Sequence, residues 1–216
     1  LGHEWYYPFV WMEKDTYHLL PVQDDFAGLG NPNIYQKIMH MTYKNNVWNN
    51  EIIADLSSEE LAKSRPRLLE QEDLYVDKKG KIHILYKEFL DKKTQWKATH
   101  KHILKNSTGT SEQSIKMEKD NINWIRLFEV DESLYYLYVF YDSVYIKKEG
   151  KEELIKISIP KDAHGTYPYV STRRGGTKDT EKYVDIILLA ADQNDFKNGT
   201  NVNYYIRITK TYLTNL

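Results

Sequence analysis

The sequence lacks cysteine altogether, and this absence excludes several kinds of site. With no Cys among its 216 residues, the chain cannot form a disulfide framework, use a thiol nucleophile or hold a Cys-ligated zinc or iron–sulfur centre. Glycine and proline are scarce, at 10 and 6 residues, which excludes collagen-like and low-complexity compositions. Reduced cytosolic proteins and disulfide-free exported proteins can both lack Cys, so this absence does not indicate the cellular compartment.

The chain also lacks a surplus of either charge and lacks long apolar runs. Lys and Arg number 30 against 31 Asp and Glu, whereas a dedicated nucleic-acid or anionic-membrane binder carries a basic surplus. The longest apolar runs, at residues 134–141 and 186–190, are far shorter than the roughly 20 residues of a spanning helix. We therefore expect no nucleic-acid partner and no membrane span. Because the chain opens at Leu1 without Met, we expect a trimmed or mature fragment, so a leader could have preceded it.

Short catalytic signatures are missing as well. The sequence holds no phosphate-cradling Gly-rich loop, no His-Glu-x-x-His, no Gly-x-Ser-x-Gly and no EF-hand loop. His100 and His102 fall on one face of a predicted strand with no third ligand, which we interpret as a surface pair. We therefore expect no metal and no cofactor.

What the sequence does contain is tyrosine, 18 residues of it, distributed over short β-branched and aromatic segments. Hydrophobic strands are predicted at residues 16–22, 81–86, 134–140 and 183–189, each bounded by turn or charged residues. A short helix is predicted over residues 55–63, where Ser57 and Glu60 have capping-box spacing and Pro66 follows.

The strands fall into a repeat. Tyr7-Pro8-Phe9-Val10 recurs as Tyr167-Pro168-Tyr169-Val170, and comparable segments begin near residues 66 and 125. Each of these four segments is the first strand of a repeat. It is followed by one of the hydrophobic strands and then by a third strand, and three of the four repeats also have a fourth strand. Four antiparallel strands per unit, at a period of roughly 40–60 residues, are typical of a β-propeller. We predict an all-β propeller with blades near residues 1–57, 64–118, 121–160 and 164–216; the alternative is a β-sandwich with coincidental Tyr-Pro pairs.

Four blades make a small ring, and the last repeat leaves little room for an outer strand after residue 211. We therefore expect residues 1–216 to be a single propeller domain or a fragment of one. In the second case the ring has five to seven blades, and a missing segment or a partner chain supplies the others.

Residues 75–86, Tyr-Val-Asp-Lys-Lys-Gly-Lys-Ile-His-Ile-Leu-Tyr, resemble the repeat core of BNR (bacterial neuraminidase repeat) propellers of the sialidase-like superfamily. Asp77 and Gly80 are the positions shared with the Asp-box, Ser-x-Asp-x-Gly-x-Thr-Trp, and the Tyr-Pro-[Phe/Tyr]-Val motif is similar to that of polysaccharide-active members. Residues 134–138 are also similar to a strand of five-bladed arabinanase-like hydrolases. The resemblance implies a carbohydrate-active protein outside the cell or on its surface.

The loops that lead into the first strand of each unit are the predicted ligand face. Aromatic rings stack on the C–H faces of sugars, and Arg pairs bidentately with a uronate or sialate carboxylate. The predicted substrate-binding residues are His3, Glu4, Trp5, Tyr7, Arg65, Arg67, Trp124 and Arg173. The predicted catalytic residues are His164, Tyr167 and Arg126, of which the first two could move a proton and the third could neutralise a carboxylate.

Each of these residues has a packing alternative. Tyr7 and Tyr167 could pack between blades, Arg67 and Arg126 could pair with acids along their strands, and Arg173 could lie in a solvated hairpin. The third residue of each hydrophobic strand is predicted to make a buried hydrogen bond. These residues are His18, His83, Tyr136 and Asp185.

The functional prediction is a propeller that binds or processes an extracellular polysaccharide, as a glycoside hydrolase or in the manner of a uronate lyase. A non-catalytic module that binds glycan or protein is the alternative. An intracellular scaffold is a third possibility, because nothing in the sequence requires export.

Overall fold

The computed structural model describes residues 4–24, 36–56, 69–89, 98–115, 122–140, 142–159, 165–170, 182–190 and 202–215. These ranges contain fifteen strands and one short helix. The strands are β1 (Glu4–Glu13), β2 (Thr16–Asp24), β3 (Gln36–Lys44), β4 (Val47–Asp55), β5 (Leu69–Val76), β6 (Ile82–Glu88), β7 (Thr99–Asn106), β8 (Gly109–Ile115), β9 (Ile122–Val130), β10 (Ser133–Phe140), β11 (Val144–Lys148), β12 (Ile155–Ile157), β13 (Gly165–Val170), β14 (Tyr183–Ala190) and β15 (Val202–Thr209). The helix is α1 (Lys210–Thr214).

The strands form four separate antiparallel sheets in chain order. The first three sheets are β1–β4, β5–β8 and β9–β12, with four strands each, and the fourth is β13–β15. Within every sheet each strand pairs with its neighbour in sequence, which is the meander of a propeller blade. A sandwich would instead gather the strands into two facing sheets, so the all-β propeller interpretation is confirmed against that alternative.

Tight turns at the ends of the hairpins set the register of these sheets. Asn45 and Asn46 both have positive φ, at 51° and 62°, and Asp131 and Glu132 follow the same pattern at 47° and 61°. Two successive positive φ values are the signature of the type I′ hairpin, whose twist matches that of the flanking strands. The turn at residues 77–80 ends in Gly80, with φ of 75°.

One described strand was not assigned from the sequence. The strand before the turn at residues 77–80 is β5, and its centre reads Glu70-Gln71-Glu72-Asp73. Acidic and amide residues are poor strand formers by propensity, so this segment does not carry a strand pattern. Residues 57–63 of the predicted helix lie outside the described residues, and Asp55 ends β4.

The chain divides into two compact units, Leu1–Glu118 and Lys119–Leu216. In the first unit, apolar residues of the first and second sheets form one core around Leu20, Ile38 and Ile84. In the second unit, a larger core of the third and fourth sheets surrounds Leu137, Val144 and Ile186. It stays a prediction that the four blades form one domain or part of a larger ring.

The fourth sheet ends in a helix. Thr209 caps α1 by accepting a hydrogen bond from the backbone N–H of Tyr212, which is a usual N-cap role for threonine. Leu213 is buried in the core of the second unit, and the Tyr135 hydroxyl donates to its carbonyl oxygen at 2.9 Å. No described helix has the length and apolar character to cross a membrane.

Candidate functional site

The predicted site residues differ in how far the structure describes them. Six lie on the first strand of a sheet, and four of these are Glu4, Trp5 and Tyr7 on β1 and Tyr167 on β13. Trp124 and Arg126 lie on β9, also the first strand of its sheet. The residues outside the described ranges are His3, Arg65, Arg67, His164 and Arg173. Convergence of the whole set on one pocket therefore stays a prediction.

Trp124 and Arg126 are brought together in the structure. They are two residues apart on β9, so they share one face of the third sheet, and the guanidinium carbon lies 5.1 Å from the centroid of the indole ring. This is the geometry of a cation–π contact. Both side chains are buried, and Trp124 belongs to the core of the second unit. Their surroundings favour the packing alternative for this pair.

A larger group of ionisable side chains lies in the second sheet, at the end where the chain enters β5. We call it the charged end of the second sheet, and it occupies both faces of the sheet. Its members are Glu70, Glu72, Tyr86, Lys87, Glu88, His100, Lys101 and Glu112.

One face of the charged end holds a buried ion network. Glu70, Lys87 and His100 are direct cross-strand partners on β5, β6 and β7. The register of β5 shifts between Gln71 and Asp73, and such a bulge re-aims the extra residue, here Glu72. Its carboxylate accepts a 2.7 Å hydrogen bond from His100 Nδ1 and lies 4.0 Å from Lys87 Nζ, which also contacts Glu70 at 3.3 Å.

The burial of this network defines what it can do. Glu72 has no exposed surface, and Lys87 and His100 are buried as well. A buried carboxylate is tolerated only when it is paired and hydrogen-bonded, and both conditions are met. Because water and ligands do not reach these groups in this arrangement, the network supports the end of the sheet rather than contacting a substrate.

The other face of the charged end is partly open to solvent. Lys101 Nζ lies 2.8 Å from Glu112 Oε1 and 3.9 Å from Glu88 Oε2. The contacting carboxylate oxygens of the two glutamates are therefore within about 6.7 Å of each other. The Glu88 side chain is 14% exposed and that of Glu112 is 45% exposed, so both can meet solvent.

On the partly open face, burial raises the pKa of two side chains. Burial raises the pKa of Glu88; Lys101 opposes this shift and Glu112 reinforces it. Burial and the neighbouring Glu88 raise the pKa of Tyr86 as well, so this phenol stays protonated at neutral pH and is unsuited to act as a nucleophile. A carboxyl group with a raised pKa beside a second carboxyl group is the pairing that acid–base chemistry at a glycosidic bond requires.

Two histidine pairs occupy equivalent positions in the first two sheets. His18 Nδ1 lies 3.1 Å from His40 Nε2, and His83 Nδ1 lies 3.1 Å from His102 Nε2. All four rings are buried, in line with the predicted structural role of His18 and His83. The interpretation of His100 and His102 as a surface pair is wrong, because β7 lies inside its sheet and both rings face a covered side.

Burial lowers the pKa of histidines in both pairs. Burial lowers the pKa of His40 to about 4, with Lys105 and His18 adding to the shift. Burial and the partner His83 lower the pKa of His102 to about 3. Within the described ranges no three His, Asp or Glu side chains are grouped so that they could hold a metal ion.

The glutamates of the charged end were not singled out from the sequence. Residues 99–106 alternate His and Lys at positions 100, 101 and 102, and strict alternation on a strand sends neighbours to opposite faces. That pattern separates Lys101 from the two histidines. It does not identify Glu88 or Glu112 as its partners, because their approach depends on the pairing of β6, β7 and β8.

No protein-family model and no curated protein matches this chain. Among solved structures, an exo-β-1,3-galactanase from Phanerochaete chrysosporium with β-1,3-galactotriose is 11% identical with a TM-score of 0.53. The match covers 93% of this chain and 46% of that one. A glycosyl hydrolase from Bacteroides ovatus is 10% identical with a TM-score of 0.52, covering 94% of this chain and 66% of that one. The chain thus spans about half to two thirds of these proteins, and the similarity supports the β-propeller fold.

Proposed function

We propose that this chain is the carbohydrate-active part of a β-propeller and that it cleaves a polysaccharide as a glycoside hydrolase. The observation that carries the proposal is the pair Glu88 and Glu112, which share Lys101 at the partly open face of the charged end. The shared fold with two glycosyl hydrolases raises the expectation but does so by analogy alone, since one fold hosts many functions.

In the proposed reaction, protonated Glu88 donates its proton to the glycosidic oxygen as the C–O bond breaks, and the departing sugar leaves as an alcohol. Glu112 either attacks the anomeric carbon or removes a proton from the water that does. The contacting oxygens of Glu88 and Glu112 are at most about 6.7 Å apart, a limit that admits the separation of about 5 to 5.5 Å found in retaining glycosidases. Burial raises the pKa of Glu88, which suits it to the role of the acid.

The test is hydrolysis of soluble polysaccharides by purified protein, with reducing ends as the readout. β-1,3-Galactan, arabinan and xylan make a suitable first panel. Glu88→Gln and Glu112→Gln should each lower kcat by about 100-fold or more, the usual contribution of a positioned acid or base. Glu152→Gln, at an exposed glutamate of the second unit, is the matched control and should leave kcat unchanged. Full activity in Glu88→Gln would contradict the assignment.

The proposal also covers the family relationship of the chain, its location, a lyase alternative and the completion of the ring. The resemblance of residues 75–86 supports a BNR-type, sialidase-like relationship and a location outside the cell or on its surface. A uronate-lyase reaction involving Arg126, His164 and Tyr167 would release an unsaturated uronate with ultraviolet absorbance, whereas hydrolysis would not. Further blades, from a longer polypeptide or a partner chain, would complete the ring.

A non-catalytic glycan-binding module is the second candidate. It is favoured by the limited exposure of Glu88, at 14%, because a substrate must reach this carboxyl group for catalysis. A glycan array followed by analysis of products separates the two functions. Binding with no new reducing ends selects the module, and turnover that depends on Glu88 selects the hydrolase.

A further inference from the structure

Tyr86 lies at the boundary between the apolar core of the first unit and the partly open face of the charged end. Its side chain is 2% exposed and belongs to the core that contains Leu20 and Ile84. A buried tyrosine places its ring among apolar groups and usually finds a partner for its hydroxyl group. For Tyr86 that partner is Glu88, the proposed acid, because a hydrogen bond joins the two side chains.

The strand register explains why this contact forms. Tyr86 and Glu88 are two residues apart on β6, so both side chains project from the same face of the sheet. Tyr86 is also the direct cross-strand partner of Lys101. Lys101 Nζ in turn lies 3.9 Å from Glu88 Oε2 and 2.8 Å from Glu112 Oε1. The phenol, the amine and the two carboxyl groups therefore form one group at this face.

The members of this group differ in how firmly they are held. Glu88, Lys101 and Glu112 have long side chains that are 14%, 19% and 45% exposed, and such side chains lose much rotamer freedom when they are held in one geometry. Tyr86 has two side-chain torsions, and its ring is enclosed by the core. A hydrogen bond from this fixed hydroxyl group therefore restricts the Glu88 carboxyl group more than its contact with Lys101 does.

The contact also acts on the titration of Glu88. Burial has the largest influence and raises the pKa of this carboxyl group; Lys101 and the hydrogen bond from Tyr86 lower it, and Glu112 raises it. A phenol that donates to a carboxyl group stabilises the ionised form. The pKa of Tyr86 itself is raised, by burial first and then by the two glutamates, so the phenol keeps its donor proton at neutral pH. The partner of Glu88 on β5 is Leu69, which carries no charge.

We propose that Tyr86 is the positioning residue of the proposed acid: its hydroxyl group holds the Glu88 carboxyl group in the orientation that donates to the glycosidic oxygen, and it sets the pH range in which Glu88 does so. The inference rests on the proposed hydrolase function. Tyr86 acts through Glu88 and does not contact substrate, because its side chain is buried. A general acid is most effective when its geometry and its pKa both match the reaction, and this one hydrogen bond contributes to both.

The first measurement is a carbon NMR titration of the glutamate carboxyl groups, with the Glu88 signal assigned by its loss in Glu88→Gln. Tyr86→Phe keeps the ring and removes the donor, so the pKa of Glu88 should rise. Glu112→Gln removes a group that raises this pKa, so the pKa should fall. Tyr135→Phe is the matched control. It removes the hydroxyl group of a buried, hydrogen-bonded tyrosine in the second unit and should leave the Glu88 titration unchanged.

The second measurement is the pH profile of kcat on the polysaccharide that wild type cleaves. A general acid is active below its pKa, so the alkaline limb should move to higher pH in Tyr86→Phe, in step with the NMR titration. At the optimum, kcat should fall about fivefold, the effect of losing one hydrogen bond that orients the acid. Tyr135→Phe should keep both the alkaline limb and kcat, because it loses a buried hydrogen bond elsewhere.

The outcomes separate this inference from the proposed function. An unchanged Glu88 titration in Tyr86→Phe overturns the inference even where Glu88→Gln abolishes turnover, a result that still supports the hydrolase. A raised pKa of Glu88 in Tyr86→Phe, in a protein whose wild type cleaves no polysaccharide, overturns the proposed function and with it the positioning role. An equal shift in Tyr135→Phe would assign the change to a general loss of structure and would also overturn the inference.

Discussion

The two compact units bury different kinds of side chain. The apolar core described for Lys119–Leu216 contains 15 buried residues, against 8 for Leu1–Glu118. Of the described buried polar residues, 10 belong to the first unit and 3 to the second. Buried polar groups stabilise a fold only when each is satisfied. The first unit therefore depends on specific partners and on pH, whereas the second depends mainly on packing.

Removal of Glu72 should produce the largest loss and would test the first half of the comparison. Glu72→Ala leaves His100 and Lys87 buried without the carboxylate that both contact. Breaking a buried ion pair in this way costs about 3 to 5 kcal/mol, which should appear as a lower urea midpoint. Glu152→Ala, at an exposed glutamate, should unfold like wild type. A loss below about 1 kcal/mol in Glu72→Ala would mean that the network contributes little.

The second half of the comparison is tested by adjacent residues on β14. Ile186 is completely buried and Ile187 is 44% exposed, so the same substitution samples core and surface at almost the same position. Ile186→Ala should lower the free energy of unfolding by about 2 to 5 kcal/mol, through lost burial and a cavity. Ile187→Ala should change it by about 0.5 kcal/mol or less. Similar losses in both variants would contradict the assigned register of the fourth sheet.

The same contrast explains what the sequence could predict. In the second unit, residues 134–140 and 183–189 are apolar enough to predict strands from the sequence alone, and β10 and β14 lie at these positions. In the first unit, β5 is concealed by Glu70-Gln71-Glu72-Asp73, whose burial depends on partners from β6 and β7. The repeat predicted the four described sheets, because strand order follows chain order within each of them. The charged end could not be predicted, because Glu88, Lys101 and Glu112 meet only through strand pairing.

Acid should weaken the first unit through its histidine pairs. The folded pKa values are about 4 for His40 and about 3 for His102, below the ordinary value of about 6.5. The unfolded chain therefore binds more protons between these limits, so stability is fully present above pH 6.5 and falls as the pH drops from there towards 4. Each histidine should contribute about 2 kcal/mol or more of this loss by pH 4.

This pH dependence has an internal control. His40 is surrounded by His18, Lys105 and Glu51, and His102 by His83 and Gln113. Urea unfolding between pH 4 and 7 should show a shallower slope in His40→Gln and His102→Gln than in wild type. An equally steep slope in both variants would assign the acid sensitivity to other groups.

The smallest effect is expected at a polar link between α1 and the apolar core of the second unit. The buried Tyr135 hydroxyl donates to the carbonyl oxygen of Leu213 at 2.9 Å, and Tyr135→Phe removes the donor while keeping the ring. The loss should be about 1 kcal/mol, the net value of a buried neutral hydrogen bond. Tyr212→Phe, at an exposed tyrosine of the same helix, should leave the urea midpoint unchanged. A loss in Tyr135→Phe as large as that in Glu72→Ala would mean that the second unit also depends on its polar contacts, and the contrast between the units would fail.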